Sequence, residues 1–137
     1  MKVHLTQIEN MSLVAFADSN HQVVMDDAGH SEASTGASPM ELMLMGIAGC
    51  ASMDVISIMK KRRADLQEYT VLAEADRREV HPRIFTDIHL RYILKGKGIK
   101  EKDVDRAIRL SEEKYCSAMG MIEDKVNITS SYEIIEA

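Results

Sequence analysis

Between Leu42 and Met59 nearly every residue is apolar or small, and Asp54 carries the only charge. Ser38-Pro39-Met40-Glu41 opens this run with an N-cap, a proline at the first helical position and a capping-box glutamate. The segment therefore reads as a long helix, apolar around its whole circumference, and such a helix must be covered on every side. The length is near the minimum for a membrane span. Asp54, Glu41 and the basic residues that follow favour burial in protein instead. A chain of 137 residues is one domain with limited material to wrap such a rod. A partner subunit is the natural cover, and Gly46, Ala48, Gly49, Ala51 and Ser52 offer surfaces for close helix approach.

The flanking segments alternate as strands do. Residues 2–8, 12–17 and 21–26 read as three short strands separated by Glu9-Asn10 and Ser19-Asn20, with a small, polar loop over 27–37. Strands follow over 67–78 and 84–95. In the second, Ile84, Thr86, Ile88, Leu90, Tyr92 and Leu94 face one way and Asp87, His89 and Arg91 the other. Val104, Ala107, Ile108, Ser111 and Tyr115 give helical spacing over 101–116; a short helix over 117–124 and a strand over 126–135 complete the chain. The fold class is α+β, over one domain, 1–137.

Composition narrows the function. A net charge of −5 argues against a general nucleic-acid binder, which needs a concentrated basic surface. Lys60, Lys61, Arg62 and Arg63 end the long helix, where they suit its dipole. No N-terminal apolar segment resembles a signal peptide, which leads to the expectation of a cytoplasmic protein with normally reduced thiols and no membrane partner. The sequon at Asn127 carries no meaning in that compartment. Ten methionines are compatible with an adaptable apolar pocket, or simply with core filling. His4, His21, His30, His81 and His89 show no metal-ligand spacing, and no phosphate loop or nucleophile elbow is present. No cofactor is expected.

The chemical handle is the pair Cys50 and Cys116, the only cysteines in the chain. Local context leaves their role open. Cys50 lies too deep in the helix for help from its N-terminal dipole, and an ionised Asp54 one turn on opposes its thiolate, so it reads locally as a buried structural cysteine. Cys116 falls at a break between helices, where a thiol can meet free backbone N–H groups or can be an ordinary junction residue.

A wider pattern is carried by several segments together. They are Ser38-Pro39-Met40-Glu41, the helix through Gly49-Cys50 and Met53-Asp54-Val55-Ile56, then Arg77-Arg78-Glu79 and Pro82-Arg83-Ile84-Phe85-Thr86. Ser111-Glu112-Glu113-Lys114-Tyr115-Cys116 and Val126-Asn127-Ile128-Thr129 complete it. Read together, these resemble the OsmC/Ohr superfamily, closest to its YhfA-like branch, over essentially the whole chain. The resemblance implies an OsmC-like fold: an intertwined homodimer with two long central helices covered by antiparallel β-sheets. It implies thiol-dependent reduction of organic hydroperoxides, with Cys50 peroxidatic, Cys116 resolving and a lipoyl-type dithiol as reductant. Glu41 is the candidate for the family's glutamate, although the position directly after Pro39 is Met40 and Glu41 points half a revolution away from Cys50 on a regular helix. The family's arginine has no counterpart before Arg62; His21, Arg77 and Arg78 are the candidates for its place, each also explicable as a surface residue. The competing reading is a non-catalytic family member that binds an apolar or thiol-reactive small molecule, or senses oxidation.

Overall fold

A computed structural model describes residues 1–27 and 34–137. The element order is β1 (Val3–Glu9), β2 (Ser12–Ala17), β3 (Gln22–Met25), α1 (Pro39–Lys61), β4 (Asp65–Arg77), β5 (Phe85–Lys97), α2 (Glu101–Leu110), a π-helical turn (Ser111–Tyr115), α3 (Ser117–Ile122) and β6 (Asn127–Glu136). The chain forms two compact units, Met1–Met43 and Leu44–Ala137.

The first unit is an antiparallel meander, β1-β2-β3. The chain leaves it through a hub on Asp26. That carboxylate accepts from Ser12 Oγ at 2.7 Å, Thr35 Oγ1 at 3.0 Å, Thr35 N at 3.1 Å and Asp27 N at 2.7 Å. These bonds, led by the one from Ser12, hold the Asp26 carboxyl down at about 2. Of the loop expected over 27–37, residues 28–33, including His30, lie outside the described residues. The capping box forms as read: Glu41 N donates to Ser38 Oγ at 3.2 Å and Ser38 N to Glu41 Oε1 at 2.9 Å.

The second unit begins in the long helix and adds the sheet β4-β5-β6. β5 pairs antiparallel with β4 but parallel with β6, so this sheet is mixed where the resemblance implied an antiparallel one. Its alternation holds from Ile88 to Leu94, where Ile88, Leu90, Tyr92 and Leu94 are buried. It breaks at the start, where Phe85 is the buried residue and Ile84 and Thr86 are only half covered. The register shift that pairs Asp76 with Asp87 and Arg77 with Phe85 is a bulge at Thr86, and one extra residue reverses the faces beyond it. Ile47, Ala51, Val55 and Met59 of α1 join Val104, Ala107 and Met119 in the core.

The described residues do not cover α1 on every side. Met43, Met45, Met53 and Ile56 are 45, 55, 73 and 40% exposed. By length and composition alone the helix could cross a bilayer, with a mean hydropathy of 1.8 over its most apolar stretch. Its basic end is tied down in protein: Arg62 pairs with Asp103 at 2.8 Å.

Candidate functional site

The thiols that the sequence holds far apart come together in the second unit. Cys50 is half-buried midway along α1, and Cys116 is buried at the junction before α3; both are free thiols. The Cys50 thiol lies close enough to Cys116 to act on it by hydrogen bonding and by charge, and both influences keep the proton on Cys116. Burial is the larger cause: the Cys116 thiol is pushed up to about 11, against partial relief from the Met119 and Ala118 N–H groups. Its sulfur accepts from Met119 N at 3.5 Å, which makes Cys116 the N-cap of α3.

The approach of the two cysteines is set by the π turn. α2 stops at Leu110, whereas helical spacing predicts continuity to 116, and the Cys116 N–H reaches back five residues to the Ser111 carbonyl at 2.8 Å. The widened turn rotates Tyr115 away from the core face, so this residue, expected to be buried, is 50% exposed. Ser111 anchors the turn. It is fully buried, and its Oγ donates to Asp54 Oδ2 at 2.9 Å and faces the Ala51 carbonyl at 3.5 Å. The start of the Cys116 segment is thereby laced to the α1 turn that follows Cys50. Asp54, read from sequence as a charge that disfavours a membrane span and as an opponent of the thiolate, is the fastening point.

Further polar groups surround the pair. Tyr69 on β4 donates to Ser52 Oγ at 2.9 Å, and Ser52 donates to the Ala48 carbonyl at 2.7 Å. Tyr92 on β5 is fully buried, and its hydroxyl has no hydrogen-bond partner among the described residues; the same is true of Glu112 Oε1 on the π turn. Sequence reasoning missed Tyr69, took Ser52 only as a small surface for helix approach, met Glu112 only within the family pattern, and gave Tyr92 and Ser111 no polar role. An unusual tyrosine in an otherwise aliphatic row was the available signal.

The substitutes for the missing arginine go elsewhere. Arg77 Nε donates to the Arg83 carbonyl at 2.8 Å, and Arg78 Nε donates to the carbonyls of Val80 and Pro82. Both serve the hairpin flank. His21 is exposed just before β3. Glu41 is exposed and held below the usual carboxylate range by its bonds from Ser38, first the backbone N–H. A cleft of about 370 Å³ opens beside Asp54, with Ile58, Leu110 and Tyr115 as its apolar wall and Lys61, Arg62 and Arg106 at its margin. Met43, Met45 and Met53 stand exposed on α1, and no methionine lines that cleft among the described residues. Among the described residues, no group of three or more His, Cys, Asp or Glu is arranged to hold a metal.

This sequence and fold have relatives. The family described as OsmC-like protein matches residues 29–131. Protein YhfA of Escherichia coli strain K12 is 41% identical over 137 residues, all of both chains. The chain belongs to the OsmC-like family. A crystal structure of a hypothetical protein from Aquifex aeolicus VF5 superposes with a TM-score of 0.87 at 28% identity, over 99% of this chain and 96% of that one. The organic hydroperoxide resistance protein OhrB of Bacillus subtilis shares the fold at 13% identity, with a TM-score of 0.64 over 97% of this chain and 98% of that one.

Proposed function

We propose that this protein is a cytoplasmic, homodimeric thiol peroxidase that reduces organic hydroperoxides through Cys50 and Cys116. The observation that carries the reading is that these two thiols, the only two in the chain, lie close enough for Cys50 to influence the ionisation of Cys116. Family membership and the fold shared with a hydroperoxide resistance protein give it context. The half-buried Cys50 is the peroxidatic residue: its thiolate sulfur takes the terminal oxygen of ROOH, the O–O bond breaks and ROH leaves. Cys116, buried and protonated, resolves the sulfenic acid as a disulfide with loss of water. A lipoyl-type dithiol then restores both thiols. Glu41 serves first as a helix cap; any part in the reaction would be played across the subunit interface or after a distortion of the helix.

The dimer reading is supported by the apolar residues that α1 leaves exposed, which a second copy of the helix would cover. Burial of Ala51, Val55 and Met59 and the polar ties of Ser52 and Asp54 favour this over a bilayer. The relative that aligns over the whole of both chains at 41% identity supports reading 1–137 as one domain. Turnover of cumene hydroperoxide with dihydrolipoamide is expected from wild type and lost in Cys50→Ser; equal inertness of the two would defeat the enzyme reading. One observation favours the alternative, a non-catalytic binder or oxidation sensor: the arginines considered for the site are engaged in the hairpin. A single oxidation event without turnover would select it.

A further inference from the structure

α1 and the segment from α2 through the π turn are tied together at two points. Ser111 Oγ donates to Asp54 Oδ2 at 2.9 Å, and Arg62 pairs with Asp103 at 2.8 Å. The numbering rises from 54 to 62 on one side as it falls from 111 to 103 on the other, so the two run antiparallel between the ties. The cleft of about 370 Å³ lies along this seam, with Asp54, Ile58 and Lys61 on the α1 side and Arg106 and Leu110 on α2. Seven residues of helix from Asp54 to Lys61 make a run of about 10 Å. The volume stands near the lower end of the roughly 300–1,000 Å³ of small-molecule sites.

The cleft is polarised along its length. Leu110 and Tyr115 belong to the end closed by the Asp54–Ser111 bond, Ile58 to the middle, and Lys61 and Arg106 to the end near the Arg62–Asp103 pair. The cations differ in what they already hold. Arg62 is committed to Asp103, through Nε as well as a terminal nitrogen, and neighbouring Arg109 to Asp105 at 2.7 Å. Lys61 and Arg106 are exposed and make no hydrogen bond or ion pair among the described residues. In a chain of net charge −5, two unpaired cations thus meet at the mouth of one cleft whose other end is apolar.

The charge balance narrows the ligand. With Arg62 matched by Asp103 and one negative charge on Asp54, the lining keeps a single positive charge in excess. That suits a monoanion better than a phosphate dianion, and the planar fork of Arg106 matches the two oxygens of a carboxylate. We propose that this cleft binds a small organic monocarboxylate, its carboxylate between Lys61 and Arg106 and its apolar body along Ile58 and Leu110 to Tyr115. The site does not rest on the thiol couple, because no cysteine lines it.

The test is an amide NMR titration of the isotope-labelled, reduced full chain without peroxide, so its result is separable from peroxidase activity. Octanoate is the probe. 1-Octanol and octylammonium offer the same chain with no charge or the opposite one, and inorganic phosphate offers charge without the chain. Octanoate is expected to shift the signals around Ile58, Leu110 and Tyr115, and to bind about tenfold more tightly than 1-octanol, the worth of two exposed charge pairs. Octylammonium should bind more weakly than either. Arg106→Gln and Lys61→Gln should keep the wild-type melting temperature, weaken octanoate about two- to fivefold each and leave 1-octanol unchanged. Tyr115→Ala should weaken both alike. Equal affinity for octanoate and 1-octanol, or octanoate binding untouched in both charge variants, overturns the carboxylate end of the site. Shifts confined to the exposed α1 face around Met43 and Met53, or no shifts at all, overturn the cleft. Phosphate competing as strongly as octanoate would make this a general anion site and overturn the apolar half of the proposal.

Discussion

Replacing Ser111 by alanine tests whether the π turn is fastened to α1 as described. The Ser111 hydroxyl is fully buried and donates to a carboxylate oxygen of Asp54 at 2.9 Å. A hydrogen bond to a charged acceptor contributes about 1.5–3 kcal/mol. Asp54 is half-buried, so water replaces part of the lost bond, and the lower half of that range, about 1.5–2 kcal/mol, applies. Unfolding entropy of about 2.1 cal/mol/K per residue amounts to roughly 0.3 kcal/mol/K for 137 residues, so the melting midpoint should fall by about 5–7 °C. Calorimetry of Ser111→Ala, Asp54→Ala and the double variant supplies the cycle, with a coupling of about 1–2 kcal/mol expected for groups in direct contact. Closure of the Cys50–Cys116 disulfide should slow in the same variants. Additive losses, or a Ser111→Ala midpoint at the wild-type value, would refute the idea that this bond holds the turn.

Three further outcomes follow from the same structure. Ser38→Ala should cost about 1 kcal/mol in chemical denaturation, as loss of an N-cap does, whereas Glu41→Gln keeps the cap's hydrogen bonds and should retain peroxidase turnover within about twofold; a larger fall would give Glu41 a chemical part. Cys116 ionises at about 11 when folded against 9.0 for a free thiol, so between these values the folded state holds a proton that the unfolded chain has lost. Stability should therefore fall as pH rises from 9 to 11, and Cys116→Ser should flatten that slope in alkaline denaturation curves. Finally, the proposed dimer should be present in sedimentation equilibrium of wild type and lost in Met53→Asp with Ile56→Asp, because both side chains stand exposed on α1; a variant that still dimerises would put the interface elsewhere.

What could be read from sequence was what local chemistry dictates. The start of α1 was legible because Ser38, Pro39 and Glu41 satisfy each other within one turn. The face of β5 was legible from Ile88 onward, where alternation is strict, and failed at Phe85 because a bulge leaves no mark in a two-residue period. The π turn was hidden for a related reason. Ser111 fits a helical core position in sequence, and its bond to Asp54, 57 residues earlier, appears only with the tertiary structure. The Cys50–Cys116 pairing came from family resemblance; neither residue's neighbours distinguish a reactive thiol from a structural one. Arg77 and Arg78 show the converse, charges that could be imagined at the site but are held by backbone carbonyls of their own hairpin. Tyr92 and Glu112 were out of reach because an unpaired buried atom is defined by everything around it.

The most direct test of the central claim is peptide mapping after one equivalent of organic hydroperoxide is added to the reduced protein. The account predicts an intact chain lighter by two hydrogens, a single linked peptide joining Cys50 to Cys116, and no such product from Cys50→Ser. A wild-type chain that stays reduced, or that accumulates sulfinic acid on Cys50 with Cys116 still free, would contradict it.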